Sequence, residues 1–81
     1  NKMKWLLVAL VTYTNSATPD LKIHAGLRFA NSEVCRTYVQ ENEDFLNKQL
    51  LKRYPNIEKS IIQCFDEQSV KEMYRYMFPD N

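Results

Sequence analysis

The sequence predicts an α+β fold, a two-layer sandwich in which a three-stranded, mainly antiparallel sheet carries two helices on one of its faces. An unbroken apolar run occupies residues 5–11, and a stretch in which apolar and polar residues alternate follows at 21–29. Two later segments, starting near residues 32 and 67, place apolar residues three and four positions apart, which is typical of helices packed on one side. The predicted element order is β-β-α-β-α, within a single domain spanning residues 1–81.

The first strand is predicted over residues 3–13 and is placed at the centre of the sheet. Its consecutive apolar residues from Trp5 to Val11 suit either a strand buried on both faces or a short buried helix, and its β-branched and aromatic residues favour the strand. A secretory signal is the alternative interpretation, because Lys4 precedes the apolar run and small residues follow at 15–17. The run is too short for a transmembrane helix, which needs about 20 apolar residues.

The second strand is predicted to follow a connecting loop. Residues 15–20 are polar and include Pro19, a composition typical of turns and loops. From Leu21 to Phe29 apolar and polar residues alternate, as in a strand with one buried face. The first two strands are therefore expected to form an antiparallel hairpin.

A long helix is expected to begin at Asn31 or Ser32. Both residues are good N-caps, and Glu33 would lie in the first turn, where the helix dipole favours an anion. Apolar residues then recur at helical spacing, with one interruption in the polar segment 40–44. Pro55 ends the helix, because the residue before a proline is disfavoured in the α region.

A third strand is predicted over residues 60–65, with a second helix directly after it. Asp66 is the expected N-cap of that helix. The most regular helical stripe in the chain follows, and it consists of Val70, Met73, Tyr74, Met77 and Phe78. A right-handed crossover and the buried character of the first strand predict the sheet order 2-1-3, with strands 2 and 3 parallel to each other.

The chain has two cysteines, Cys35 and Cys64. The predicted topology places Cys35 in the first turn of the long helix and Cys64 on the helix-facing side of the third strand. We expect a disulfide between them, which would close a loop of about 30 residues and stabilise the small core by about 3 to 4 kcal/mol. Two buried free thiols are the alternative. The chain has no Cys-x-x-Cys motif that would favour thiol redox chemistry.

Composition and motifs argue against several functions. The formal net charge is +1, so the sequence predicts neither nucleic-acid nor membrane binding. A single glycine cannot form a glycine-rich phosphate loop, and we expect no cofactor. His24 is the only histidine and is expected at the surface, while Glu41, Glu43 and Asp44 do not converge as an acid and a base must. We therefore expect no catalytic residues, no metal site and no enzymatic activity.

The apolar residues exceed what a two-layer fold can bury. If one face of the first strand meets the helices, the other face still carries large apolar side chains with basic residues at its rim. Such a patch is typical of a protein interface, so we expect a protein partner or a homodimer. Alternatively, long rim side chains and the loop 14–20 fold over the patch. The candidate interface residues are Trp5, Leu7, Lys22, His24, Arg28, Ile61 and Phe65.

Four features occur in a fixed succession along the chain. They are an apolar strand led by Met-Lys-Trp at 3–5, a second strand ending in Phe29, a helix start at 32–35, and a late strand bearing Cys64. In this succession the chain resembles small uncharacterised open reading frames of tailed bacteriophages. The resemblance implies no known activity, but it suggests an accessory protein that acts on a host component in the bacterial cytoplasm, where a disulfide is less expected.

The expected function is that of a small non-enzymatic interaction module. It would be a phage accessory protein that binds a host or viral protein through an apolar sheet face, or that associates with itself as a dimer. This interpretation favours the cytoplasm of an infected bacterial host. The alternative is a secreted, disulfide-stabilised binding or inhibitor domain.

Overall fold

The computed structural model describes residues 4–79, which form three strands and two helices. In chain order the elements are β1 (Trp5–Tyr13), β2 (Ser16–Phe29), α1 (Ser32–Arg53), β3 (Ile57–Asp66) and α2 (Glu67–Met77). One sheet contains the strands in the order β2-β1-β3, and both outer strands run antiparallel to β1. The α+β class, the element order and the central place of β1 are confirmed. The predicted start of the first strand at Met3 lies outside the described residues.

The connection between β1 and β2 is a tight turn at residues 14–15, so the loop predicted over 15–20 is wrong. Tyr13 pairs directly with Ser16, and β2 therefore includes the polar segment. The hydroxyl group of Tyr13 donates a hydrogen bond to Oδ2 of Asp20 at 3.2 Å, which links the two strands beyond the core. Polar residues are compatible with strand structure here because their side chains face solvent.

The two helices pack on opposite faces of the sheet, so the predicted placement of both on one face is wrong. Leu6 and Val8 of β1 lie in one buried cluster with Val70 of α2, whereas the intervening Leu7 lies in another with Cys35 of α1. Successive side chains of a strand point to opposite faces. Because β1 is apolar on both faces, each face is stabilised by a helix of its own. The molecule has three layers instead of the predicted two.

The long helix α1 begins where the sequence predicts and has a kink inside the polar segment 40–44. Asn31 is the N-cap, and its Oδ1 accepts a hydrogen bond from the backbone N–H of Val34 at 2.9 Å. Asn42, inside the predicted interruption 40–44, has non-helical backbone angles and marks a kink. Its side-chain amide donates to the carbonyl oxygen of Tyr38 at 2.9 Å, four residues earlier. Side chains that bond the backbone in this way compete with regular helix geometry.

Strand β3 continues into α2 without a loop. β3 is longer than the predicted 60–65 and ends at Asp66, which is also the N-cap of α2. Oδ1 of Asp66 accepts a hydrogen bond from the backbone N–H of Ser69 at 2.8 Å. The backbone N–H of Glu67 donates to the carbonyl oxygen of Lys4 at 3.0 Å, which holds the start of α2 beside the start of β1. This short connection leads α2 onto the face of the sheet opposite α1.

Candidate functional site

An open groove of about 750 Å³ lies between α1 and β2 on one face of the sheet. It exists because α1 packs mainly over β3 and contacts β2 much less. A helix with its side chains is about 10 to 12 Å wide and neighbouring strands lie about 4.8 Å apart, so one helix covers about two strands. The α1 side of β2 is therefore left without a helix above it over residues 22–26, whereas Leu27 and Phe29 pack into the cluster that α1 covers.

Apolar side chains form the floor of this groove. Leu7 and Ala9 of β1 point to the same face of the sheet, and Ile62 of β3 extends the surface they make. Leu46 and Leu50 extend the apolar surface along the side of the groove that α1 forms, which we call the α1 wall. Leu7, Ala9 and Leu46 are already buried. A ligand therefore gains about 25 cal/mol for each Å² of apolar area removed from water only where such area is still exposed, chiefly at Phe45 and in part at Leu50 and Ile62.

Basic side chains line both long sides of the groove. Lys22 and His24 are on β2, and Lys52 and Arg53 lie in the last turn of α1. Lys52 and Arg53 also complement the negative end of the helix dipole. None of the described residues that line the groove is acidic. The groove thus combines an apolar floor with a basic end formed by Lys52 and Arg53.

Lys22 is held in place by a carboxylate and an aromatic ring. Its Nζ lies 3.0 Å from Oδ2 of Asp20 and 4.4 Å from the ring centroid of Tyr54. The hydrogen bond to Asp20 raises the pKa of Lys22 above its usual 10.5. Burial acts to raise the pKa of Asp20, but hydrogen bonds from Lys22 and a backbone N–H outweigh it, and the pKa lies below 3.8. Because Asp20 offsets Lys22, the charges of Lys52 and Arg53 dominate the groove.

Three of the predicted interface residues line the groove, namely Leu7, Lys22 and His24. Lys22 and His24 project from β2 on the side that α1 leaves uncovered. Leu7 is only 3% exposed, because α1 covers it, and it belongs to the floor rather than to an exposed patch. Trp5 lies on the same side of the sheet, partly buried in the cluster that α1 covers.

The other predicted interface residues lie toward α2. Phe65 is partly buried against that helix, and Nε of Arg28 lies 3.3 Å from Oε2 of Glu67 in its first turn. Ile61 is 48% exposed and pairs across the sheet with Leu10, which is 41% exposed. The prediction of one continuous apolar patch is wrong, because each face of the sheet is covered by a helix. A role of these residues in binding stays a prediction.

Cys35 and Cys64 form the predicted disulfide, and the alternative of two free thiols is wrong. The Cα atoms of the two residues are 6.1 Å apart, and Cys35 is completely buried. The bond connects the first turn of α1 to β3. It therefore fixes the beginning of α1 on its face of the sheet.

The acidic residues of α1 do not contribute to the groove. Glu41, Glu43 and Asp44 are exposed near the kink and, together with Lys48, border a second depression, which adjoins the groove at Phe45. Within residues 4–79, no group of three or more His, Cys, Asp or Glu side chains is placed to hold a metal ion. Over the same residues, no helix has the length and apolar content needed to cross a membrane.

The α1 wall of the groove was not predicted from the sequence. Phe45 and Leu46 are adjacent apolar residues, and adjacent positions of a helix point about 100° apart, so a single contact with the sheet cannot bury both. Leu46 is buried, whereas Phe45 is 56% exposed at the groove. The sequence signal for this side of the groove was therefore an apolar stripe on α1 that is too wide for one contact with the sheet. Lys52 and Arg53 gave none, because basic residues at a helix end are common for reasons of stability alone.

Comparisons with protein-family models, with curated proteins and with solved structures give no match to this chain.

Proposed function

We propose that the protein is a small non-enzymatic interaction module that binds an acidic, partly apolar segment of another protein in the groove between α1 and β2. The observation that carries the proposal is an apolar groove with Lys52 and Arg53 at one end and no acidic residue among the described lining. Burial of the exposed Phe45 and of the partly exposed Leu50 and Ile62 supplies affinity. The basic end favours acidic partners and speeds the encounter with them.

Other classes of ligand suit the groove less well. Small-molecule sites bury most of the ligand surface, whereas this groove is open. A nucleic acid requires a series of contacts from Lys and Arg to phosphates. The chain has a net charge of only +1, and of the three lysines and arginines at the groove Lys22 is already paired with Asp20. A protein segment with a few acidic residues matches this modest charge.

Synthetic peptides of defined composition test the proposal directly. The peptides of one set consist of Glu, Ser and Leu and are about 16 residues long, which corresponds to about four turns of a helix. Some of them carry Leu at the spacing of a helix, and others alternate Leu with polar residues as in a strand. A second set has Lys in place of Glu. Fluorescence anisotropy measures binding to each. We expect the best Glu peptide to bind at least about tenfold more tightly than its Lys counterpart, with weaker binding at high salt.

Charge reversal locates the binding site. The variant K52E/R53E changes the groove, and the matched control K71E/R75E changes two exposed basic residues of α2, including one in its last turn. The groove variant removes two basic residues from the last turn of a helix and the control removes one, so both weaken an interaction with a helix dipole. We expect the groove variant to bind the Glu peptide at least about tenfold more weakly and the control to bind it unchanged. Equal binding of Glu and Lys peptides, or an unaffected groove variant, would overturn the proposal.

The disulfide bears on the compartment of the protein. Disulfides persist in oxidising environments and are rare in the cytosol. The Cys35–Cys64 bond therefore supports the alternative of a secreted, disulfide-stabilised binding domain. For a phage accessory protein in a bacterial cytoplasm, the same groove would bind a host or viral protein.

Self-association is a second candidate function, and a different surface supports it. Leu10 and Ile61 pair across the sheet on the α2 side and are both about half exposed. Two such patches would bury each other in a dimer with twofold symmetry. Sedimentation velocity tests this candidate: a dimer that becomes a monomer in Ile61→Lys supports it, and a monomeric unmodified protein at high concentration contradicts it.

A further inference from the structure

We infer that the segment bound in the groove is an amphipathic helix that lies antiparallel to α1 and carries acidic residues in its first turns. This inference rests on the proposed function, because it specifies the partner of the same groove. Three observations support it: the width of the uncovered strip, which is the part of β2 that lines the groove at residues 22–26, the irregular edge of β2, and the uneven distribution of charge along the groove.

The width of the uncovered strip matches one helix. Packed helices lie about 8 to 10 Å apart, which is about twice the 4.8 Å spacing of neighbouring strands. Since α1 lies mainly over β3, a helix packed beside it would lie over β2, two strands away, between the Phe29–Tyr38 contact at one end and the Lys22–Tyr54 contact at the other. The side chains of Leu7 and Ala9 on the central strand would then lie beneath the seam between the two helices. A bound helix would complete the layer that α1 begins.

The outer edge of β2 is poorly suited to the addition of a strand. β2 pairs with β1 in regular register only over Asp20–His24, and the register shifts at both ends of this segment. The residues beyond it include Pro19 on one side and Gly26 on the other. Proline lacks a backbone donor, and bulges twist an edge away from further pairing. A partner strand would find a ladder of only five regular residues.

Charge is concentrated at one end of the groove. Lys52 and Arg53 lie where α1 ends, and Lys22 reaches the ring of the C-cap residue of α1. The other end is lined by Tyr38 and Phe45. A helix antiparallel to α1 has its N-terminus at the basic end. Acidic residues in its first turns would be stabilised by its own dipole and would also meet the basic side chains.

Three Glu peptides of identical composition test the form and the direction of the bound segment. The first has Leu at helical spacing and Glu in its first turns, the second has the same spacing with Glu in its last turns, and the third alternates Leu with polar residues. We expect the first to bind at least about tenfold more tightly than either of the others. Far-UV circular dichroism should show a gain of helix when the first peptide binds.

A matched pair of protein variants ties the result to the groove. Phe45→Ala removes an exposed aromatic side chain at the apolar end, and Phe78→Ala removes a similarly exposed one beyond α2. We expect a loss of about fivefold or more in affinity for the first peptide in Phe45→Ala and no change in Phe78→Ala.

The outcomes separate this inference from the proposed function. If the alternating peptide binds as tightly as the first, or if binding adds no helix, the inference is overturned while the groove remains a binding site. Equal affinity of the two helical peptides overturns the antiparallel direction. If no Glu peptide binds, the proposed function fails, and the inference fails with it.

Discussion

The disulfide between Cys35 and Cys64 ties the first turn of α1 to β3 across a sequence separation of 29 residues. Both cysteines belong to the cluster that contains Leu7 and Leu46, so the bond crosses the core on the α1 side of the sheet. A domain of this size buries only about 60% or slightly more of its unfolded surface, and its net stability is small. The cross-link therefore provides a large share of that stability.

Replacement of both cysteines by alanine should lower the free energy of unfolding by about 3 to 4 kcal/mol, since the unfolded chain would no longer be closed into a loop of about 30 residues. Urea denaturation followed by circular dichroism measures the loss. The reduced unmodified protein is the control and should lose a similar amount. A C35A/C64A variant as stable as the oxidised protein would show that the bond does not stabilise the fold.

The contribution of the N-cap of α2 to the free energy of unfolding should also be measurable. Asp66 accepts hydrogen bonds from the backbone N–H and from the hydroxyl group of Ser69. Asp66→Ala should lower the free energy of unfolding by about 1 to 2 kcal/mol, while Asp66→Asn should keep most of it, because Asn is an equally good cap. Asp44→Ala, at an exposed position inside α1, is the control and should change it by less than about 0.5 kcal/mol. Equal losses at both sites would argue against capping.

The ion pair at the groove predicts an effect of pH on stability. The pKa of Asp20 is lowered by folding, so its contribution is complete above the unfolded pKa of about 3.8 and is lost as the pH falls through the lower folded value. Asp20→Asn should therefore make unfolding free energy less dependent on pH below about 4. At neutral pH the loss should stay under about 1 kcal/mol, because both side chains are about one-third exposed.

Urea midpoints between pH 2 and pH 7 would measure this effect. Glu58→Gln removes an exposed carboxylate on β3 and serves as the control. The loss of stability at low pH could be unchanged in Asp20→Asn, or it could change equally in Glu58→Gln. Either result would contradict a specific contribution from the Asp20–Lys22 pair.

Features that depend on neighbouring residues were predictable from the sequence. The caps at Asn31 and Asp66 and the central position of the apolar strand follow from local preferences. The disulfide could be inferred as well, because the predicted topology already placed Cys35 and Cys64 on facing elements.

Features that depend on the choice between two equivalent surfaces were not predictable. The alternation of Leu6 and Leu7 shows that both faces of β1 are apolar, but it does not say whether a helix or a partner covers each face. The direct passage from β3 to α2 at Asp66 decides this question. The groove follows from the same choice, because α1 alone is too narrow to cover its face of the sheet.

The opposite placement of the helices leads to a prediction about additivity. Val39 of α1 and Val70 of α2 belong to different clusters, separated by the sheet. Each change to alanine should cost about 1 to 2 kcal/mol, and the double variant should lose the sum within about 0.5 kcal/mol. Val70 and Met73 share one cluster, so V70A/M73A should depart from additivity and serves as the comparison. A coupling between Val39 and Val70 as large as that within the α2 cluster would mean that the helices share a face, and urea denaturation of the single and double variants measures both couplings.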